Sequence, residues 1–221
     1  MTVKKSSGSR QRSRIAEPKK AIPNVKTIII LAVIAIVIVV VVAVLSFGSN
    51  TDGNQNNGDT SGGNPIAVFN TNLGTFKVEL YRDKMPETCD NFIKLANDGF
   101  YDGMNFYRIL DNFMIQAGRY FPDESESQSP YGNIDFEVSD VKHVDGAISM
   151  ASTGSKVGGS AEFFICDGAQ AGLDGSYAAF GVTIDGLTVV HNIAAKPHDG
   201  LHPAGGGKPD TDIVINSITI E

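Results

Sequence analysis

The chain has 221 residues, 42% of them apolar, which is enough for one ordinary domain with a real core plus additional segments. Its formal charge of -7 conceals an asymmetry: residues 1–26 carry eight Lys or Arg and one acid, Glu17, whereas residues 48–221 carry ten basic and 24 acidic side chains. A domain that acidic has no electrostatic affinity for phosphate backbones, so no nucleic acid is expected as a partner.

In chain order, the basic tail 1–26 leads into residues 27–47, TIIILAVIAIVIVVVVAVLSF, a run without a single charge. At ~1.5 Å per residue it spans ~30 Å, the thickness of a bilayer's hydrocarbon core. A lone strand in lipid would leave its backbone unpaired, so a transmembrane helix is the viable form. Lys19, Lys20 and Lys26 place the N-terminus in the cytoplasm and the remainder outside it. The run is longer than a signal-peptide core and no A-x-A-like cleavage site follows, so an uncleaved single-pass anchor in the cell membrane is expected. Residues 48–64, rich in Gly, Asn, Asp and Ser, cannot offset their chain entropy by burial and read as a flexible linker.

From residue 65 to 221 the pattern is that of a compact domain made mainly of short strands. Segments 67–71 and 75–81 flank Asn72-Leu73-Gly74 as a hairpin, with Phe76, Val78 and Leu80 alternating inward. Pro86 opens a helix that ends near Asn97, and Cys89, Phe92 and Ala96 share its apolar face. Further strands are predicted over 106–110, 113–117, 147–152, 163–166, 178–182 and 213–220, with a second helix over 186–195 capped by Asp185. Many short antiparallel strands with glycine turns suggest a sandwich or a closed barrel. Cys89 and Cys166 read as buried free thiols, since one pair makes no disulfide scaffold.

The informative stretch is FYRILDNFMIQAGR, residues 106–119. Arg108 stands there among Phe106, Ile109, Phe113 and Met114, and it is one of only three arginines after residue 47. A guanidinium beside apolar surface either reaches solvent or needs partners. His198, Asp199 and His202 lie in a Pro/Gly loop without a second ligand cluster, so no metal site is expected there. His143 and His191 read as ordinary surface or helix residues, and Asp123, Glu124 and Glu126 as a solvated turn.

The 106–119 stretch closely resembles the cyclophilin signature, and GAISMAS (146–152), SAEFFIC (160–166) and LDGSYAAFG (173–181) agree with the family in order and spacing. The resemblance covers about residues 66–221 and, with the anchor, points to a prokaryotic-like, membrane-anchored peptidyl-prolyl cis-trans isomerase. It implies a mainly β fold, a closed antiparallel eight-stranded barrel capped by two helices. It also implies a monomer that needs no metal or cofactor and takes proline-containing polypeptides as substrates, here exported or surface proteins. Carried across, the catalytic set is Arg108, Gln116 and Phe113. The substrate-binding set is Met114, Ala151, Ser152, Glu162, Phe164, Leu173 and Tyr177.

Three positions depart from the family pattern. Tyr107 replaces a histidine, Glu162 replaces a glutamine, and Gly172 replaces the tryptophan of many cyclosporin-sensitive members, which implies weak cyclosporin binding. A carboxylate at Glu162 is able to pair with Arg108 and either orient it or draw it from the substrate, so a module that binds proline peptides or holds unfolded chains without turnover is the alternative function. A barrel binding small ligands in its interior is disfavoured, because bulky Phe, Ile and Met side chains should fill a small barrel.

Overall fold

The computed structural model describes residues 63–138 and 140–221. Residues 27–47, expected to span a membrane, the basic tail and nearly all of the polar stretch 48–64 lie outside the described residues, and among the described residues no helix is long and apolar enough to cross a membrane.

Eight strands form one antiparallel sheet: β1 (Ile66–Thr71), β2 (Gly74–Leu80), β3 (Arg108–Leu110), β4 (Met114–Ala117), β5 (Ala147–Met150), β6 (Phe163–Cys166), β7 (Ala178–Asp185) and β8 (Ile215–Ile220). Their order is β3-β4-β6-β5-β7-β2-β1-β8. The predicted hairpin is present, with Thr71 opposite Gly74 and Asn72-Leu73 as its turn.

The sheet curls into an open half-barrel, which corrects the expectation of a closed one. β3 and β8 are its two edges and share no ladder. The chain just before β3 meets the chain leading into β8 through the isolated bridge Asn105–Val214, with Phe106 N–H donating to Ile213 O at 2.9 Å. The outer edge of β3 is already taken, since Ile109 exchanges hydrogen bonds with Gly207 at 3.0 and 3.1 Å. Three-residue β3 has no further edge to offer, so closure by a strand ladder is blocked.

Helix α1 (Pro86–Asn97) lies against β7 and β8, and helix α2 (Leu187–Ala194) against β2, β3 and β4. α1 starts at its proline, and the carboxylate of Glu137 accepts the first-turn N–H of Thr88 at 2.9 Å. α2 is not capped by Asp185. Its N-cap is Gly186 in the left-handed region (φ 73°), where a Cβ would lie 2.5 Å from Thr75 O, so backbone proximity rather than a side-chain cap sets the helix start.

The core between sheet and helices is aromatic. Phe163 meets Phe69, Phe92, Tyr101 and Phe106 edge to face, at centroid separations of 5.4 to 6.4 Å. Phe76 and Phe180 complete a filled interior, which removes the space that a small-ligand barrel would need. Cys89 and Cys166 are both buried free thiols, pushed up to about 12 by burial.

β5 and β6 are buried on both faces. Because successive side chains point to opposite faces, Phe163 and Ile165 enter the main core, while Phe164 and Cys166 join Met114 and Ala147 in a second cluster on the other face. Met114 and Phe164 of that second cluster line the site described next. Phe163→Ala is expected to cost about 3–5 kcal/mol, read as a lower urea midpoint at unchanged slope; a midpoint within error of the parent would contradict the role given to this ring.

Candidate active site

Register places the candidate residues in a row. Arg108 on β3 faces Gln116 on β4, Gln116 faces Phe164 on β6, and Phe164 faces Ser149 on β5. One step along, Met114 lies opposite Cys166. Ala151 and Ser152 follow β5 directly, and the short 3-10 turn Ala171–Leu173 with Tyr177 brings the last wall from the chain before β7.

These elements enclose a cavity of about 110 Å³ lined by Arg108, Phe113, Met114, Gln116, Ala151, Ser152, Phe164, Leu173 and Tyr177. Nine of the ten residues singled out in the sequence therefore share one pocket, and Glu162 is the exception. The Phe164 ring stands edge-on to Tyr177 at 5.9 Å, so the two rings form an apolar corner of the pocket.

Arg108 is part-buried and fully engaged on one side. Its Nε–H donates to Gly205 O at 2.9 Å, its Nη2 to Ala204 O at 2.8 Å and its Nη1 to Gln116 Oε1 at 3.1 Å, and its guanidinium lies 5.7 Å from the Phe113 ring centre. Burial lowers its affinity for the proton, but an arginine remains a cation at any physiological pH. Its hydrogen-bond partners are all neutral oxygens, so the positive charge is left uncompensated at the edge of an apolar cavity.

The comparisons with known proteins agree with this geometry. The family described as cyclophilin type peptidyl-prolyl cis-trans isomerase/CLD matches residues 66–220. The chain belongs to this family. A peptidyl-prolyl cis-trans isomerase of Synechococcus elongatus is 40% identical over 129 residues, covering 58% of this chain and 87% of that one. Peptidyl-prolyl cis-trans isomerase-like 3 of Gallus gallus is 35% identical over 156 residues, covering 69% and 94%. A crystal structure of a Cryptosporidium parvum cyclophilin in the presence of the dipeptide Ala-Pro matches with a TM-score of 0.63 and 30% identity over 71% of this chain and 98% of that one.

Within this cyclophilin framework the departures at 107 and 162 act together. Glu162 does not pair with Arg108. Its Oε1 lies 3.4 Å from Arg119 Nη1, and its Oε2 accepts from the Tyr107 hydroxyl and from Gln116 Nε2, the latter at 3.3 Å. Gln116 Nε2 also donates to the Tyr107 oxygen. A carboxylate offers only acceptors, so the Gln116 amide must turn its NH₂ toward Glu162 and its carbonyl toward Arg108. Burial, with Glu162 beside it, pushes the Tyr107 phenol far above its ordinary range and keeps it a donor. Arg119 belongs to the quoted signature stretch, yet nothing in the sequence marks it as the counter-ion. At Gly172, next to the pocket residue Leu173, an added Cβ would meet nothing within 4 Å.

His143 is a second correction, for it is fully buried rather than a surface residue. Its ring stacks on Phe164 at 5.9 Å, its Nδ1 pairs with Asp174 at 3.0 Å and its Nε2 with Ser149 Oγ at 3.1 Å, so it braces the pocket wall from behind. His191, on α2, bridges Asp145 at 3.1 Å and Asp167 at 3.6 Å. These three have ligand atoms within 4.8 Å of one another, the one such group among the described residues, and the imidazole already serves both carboxylates.

Burial holds the His143 imidazole below its ordinary range, against the opposing pull of Asp174. The unfolded chain then takes up the proton first, so His143's contribution to stability is intact above about pH 6.5 and is lost as the pH falls through the lower folded value. Urea unfolding should therefore show a larger loss of stability on acidification for the parent than for His143→Gln; equal losses would contradict the neutral, buried imidazole.

Proposed function

We propose that the chain is a working peptidyl-prolyl cis-trans isomerase whose Arg108 promotes rotation of an X-Pro bond held in the pocket floored by Phe113, Met114 and Phe164. The observation that carries this reading is a permanently charged guanidinium, bonded only to neutral oxygens, at the rim of an apolar cavity of about 110 Å³.

Rotation about a prolyl bond is slow because resonance between carbonyl and nitrogen must be lost, at a barrier of ~20 kcal/mol. An N–H of Arg108 directed at the prolyl nitrogen stabilises the pyramidal, lone-pair-localised state more than the planar one, which is differential binding of the twisted form. Phe113, Met114, Phe164 and Leu173 hold the ring by burial, and Ala151 and Ser152, directly after β5, offer backbone groups to an extended substrate. Lowering the barrier by ~7 kcal/mol would give about 10⁵-fold acceleration. No group on the enzyme changes its covalent state.

The non-catalytic alternative draws its motive from Glu162, and that motive weakens because Arg119 and Tyr107 engage the carboxylate, which makes no hydrogen bond or ion pair with Arg108 among the described residues. The apolar run 27–47 beside a basic tail, and the polar stretch 48–64, support a prokaryotic-like layout in which an anchor tethers the domain outside the cytoplasm, where clients would be exported or surface proteins.

In a protease-coupled assay with a proline peptide, Arg108→Ala should lower kcat/KM by on the order of 10²- to 10³-fold, the scale of losing one preorganised donor. An inactive parent, or an Arg108→Ala variant as fast as the parent, overturns the assignment.

A further inference from the structure

Residues 196–208, KPHDGLHPAGGGK, contain the Pro/Gly loop of His198, Asp199 and His202, and they form a largely exposed turn bonded to β3. Its base is closed by Asp199 N–H donating to Lys208 O at 3.0 Å and by Asp199 Oδ1 accepting from Leu201 and Lys208 N–H, each at 3.0 Å. Its tip is closed by His202 N–H on Gly206 O at 3.1 Å, Gly205 N–H on His202 O at 2.9 Å, and Ala204 N–H on His202 Nδ1 at 3.2 Å. Gly206 has φ 75°, and a Cβ there would lie 2.4 Å from Ile109 O, so only glycine admits this approach to β3.

Resting on the reading of Arg108 given above, we propose that this turn is a positioning element for Arg108 and that His202 holds its tip in place through Ala204 and Gly205. The carbonyls of these two consecutive residues take the Nε–H and an Nη2–H of the guanidinium, while Gln116 takes an Nη1–H from the other side. Two contacts from one rigid turn and a third from a separate strand fix both the plane and the rotation of the group. A free arginine side chain samples many rotamers, and freezing it before the peptide arrives removes that ordering cost from the reaction step. Neutral carbonyls achieve this without cancelling the charge, which a carboxylate would do.

The tip depends on an unprotonated Nδ1, because that atom must accept the Ala204 N–H. Protonation would place a hydrogen between the two nitrogens and a second cation beside Arg108. The charged or titratable groups facing His202 and Arg108 are Asp199 from the turn itself and the Tyr107 and Tyr177 phenols near the guanidinium; Lys208 at the base is tied to Glu124 at 2.7 Å. Burial first and the Arg108 charge second hold the imidazole below its ordinary range, with Asp199 opposing them. The clamp is thus set at neutral pH and opens in acid.

The test is kcat/KM of the full-length protein on a proline peptide from about pH 5 to about pH 8, for the parent, His202→Asn, His202→Leu and Arg108→Lys. Asparagine puts Oδ1 where histidine has Nδ1, so it keeps the acceptor without the titration. His202→Leu should lose roughly tenfold at neutral pH, mainly in kcat, as a misplaced catalytic group does. His202→Asn should keep the neutral rate and lack the acid limb that the parent shows. A His202→Leu variant as fast as the parent, or a His202→Asn variant that retains the acid limb, overturns the proposal. If Arg108→Lys is fully active the underlying reading of the site falls with it; if Arg108→Lys is impaired while both His202 variants match the parent, the positioning role alone falls.

Discussion

A cation held at the edge of an apolar cavity is the constraint on which the remainder of this structure depends. Half-burying a guanidinium is costly unless its N–H groups find oxygens, and pairing it with a carboxylate would spend the charge that makes it useful. Here the conflict is resolved with neutral acceptors: two backbone carbonyls and one side-chain amide. The Glu162 carboxylate, beside Gln116, is kept occupied by Arg119 and Tyr107. Charge and hydrogen-bonding demands are thus met by different groups.

The fold makes this arrangement rigid by using β4, β6 and β5 on both faces. Inward, Phe163, Ile165 and Ile148 join the aromatic core with α1 and α2. Outward, Phe164, Cys166, Met114 and Ala147 form the second cluster, of which Met114 and Phe164 line the pocket, with His143 stacked behind Phe164. A strand pinned from both sides has little freedom to shift, so the pocket inherits the stiffness of the core. The open barrel goes with a second feature: the outer edge of β3 is taken by Gly207 instead of β8, and that pairing brings Ala204 and Gly205 to the arginine.

Much of this was legible in the residues. The signature around Arg108 and the three accompanying blocks located nine residues of one pocket, and the strand and helix positions followed from alternation, Pro86 and the apolar spacing of α1. What stayed hidden has a physical reason in each case. In FFIC, four apolar residues in a row carry no period, so which of Phe163 and Phe164 turns inward is decided only by packing. The partners of Arg108 at 204 and 205 act through backbone carbonyls, which leave no trace in residue type. Glu162 pairs with Arg119 rather than Arg108 because it lies just before β6, beyond the Ala117–Phe163 pair, at the end where the chain leaves β4 toward Arg119. His143 sits between Lys142 and Val144, with no pattern to announce that it is buried. Barrel closure turned on one three-residue edge strand that no composition could foresee.

The most direct measurement is a titration of the ¹⁵N-arginine-labelled protein with an Ala-Pro peptide, following guanidinium signals and peptide exchange together. The account predicts that the Arg108 Nη signals move on binding, while cis and trans forms of the peptide interconvert measurably faster. Accelerated exchange with Arg108 unmoved, or binding that shifts residues away from Phe113, Met114 and Phe164, would contradict it.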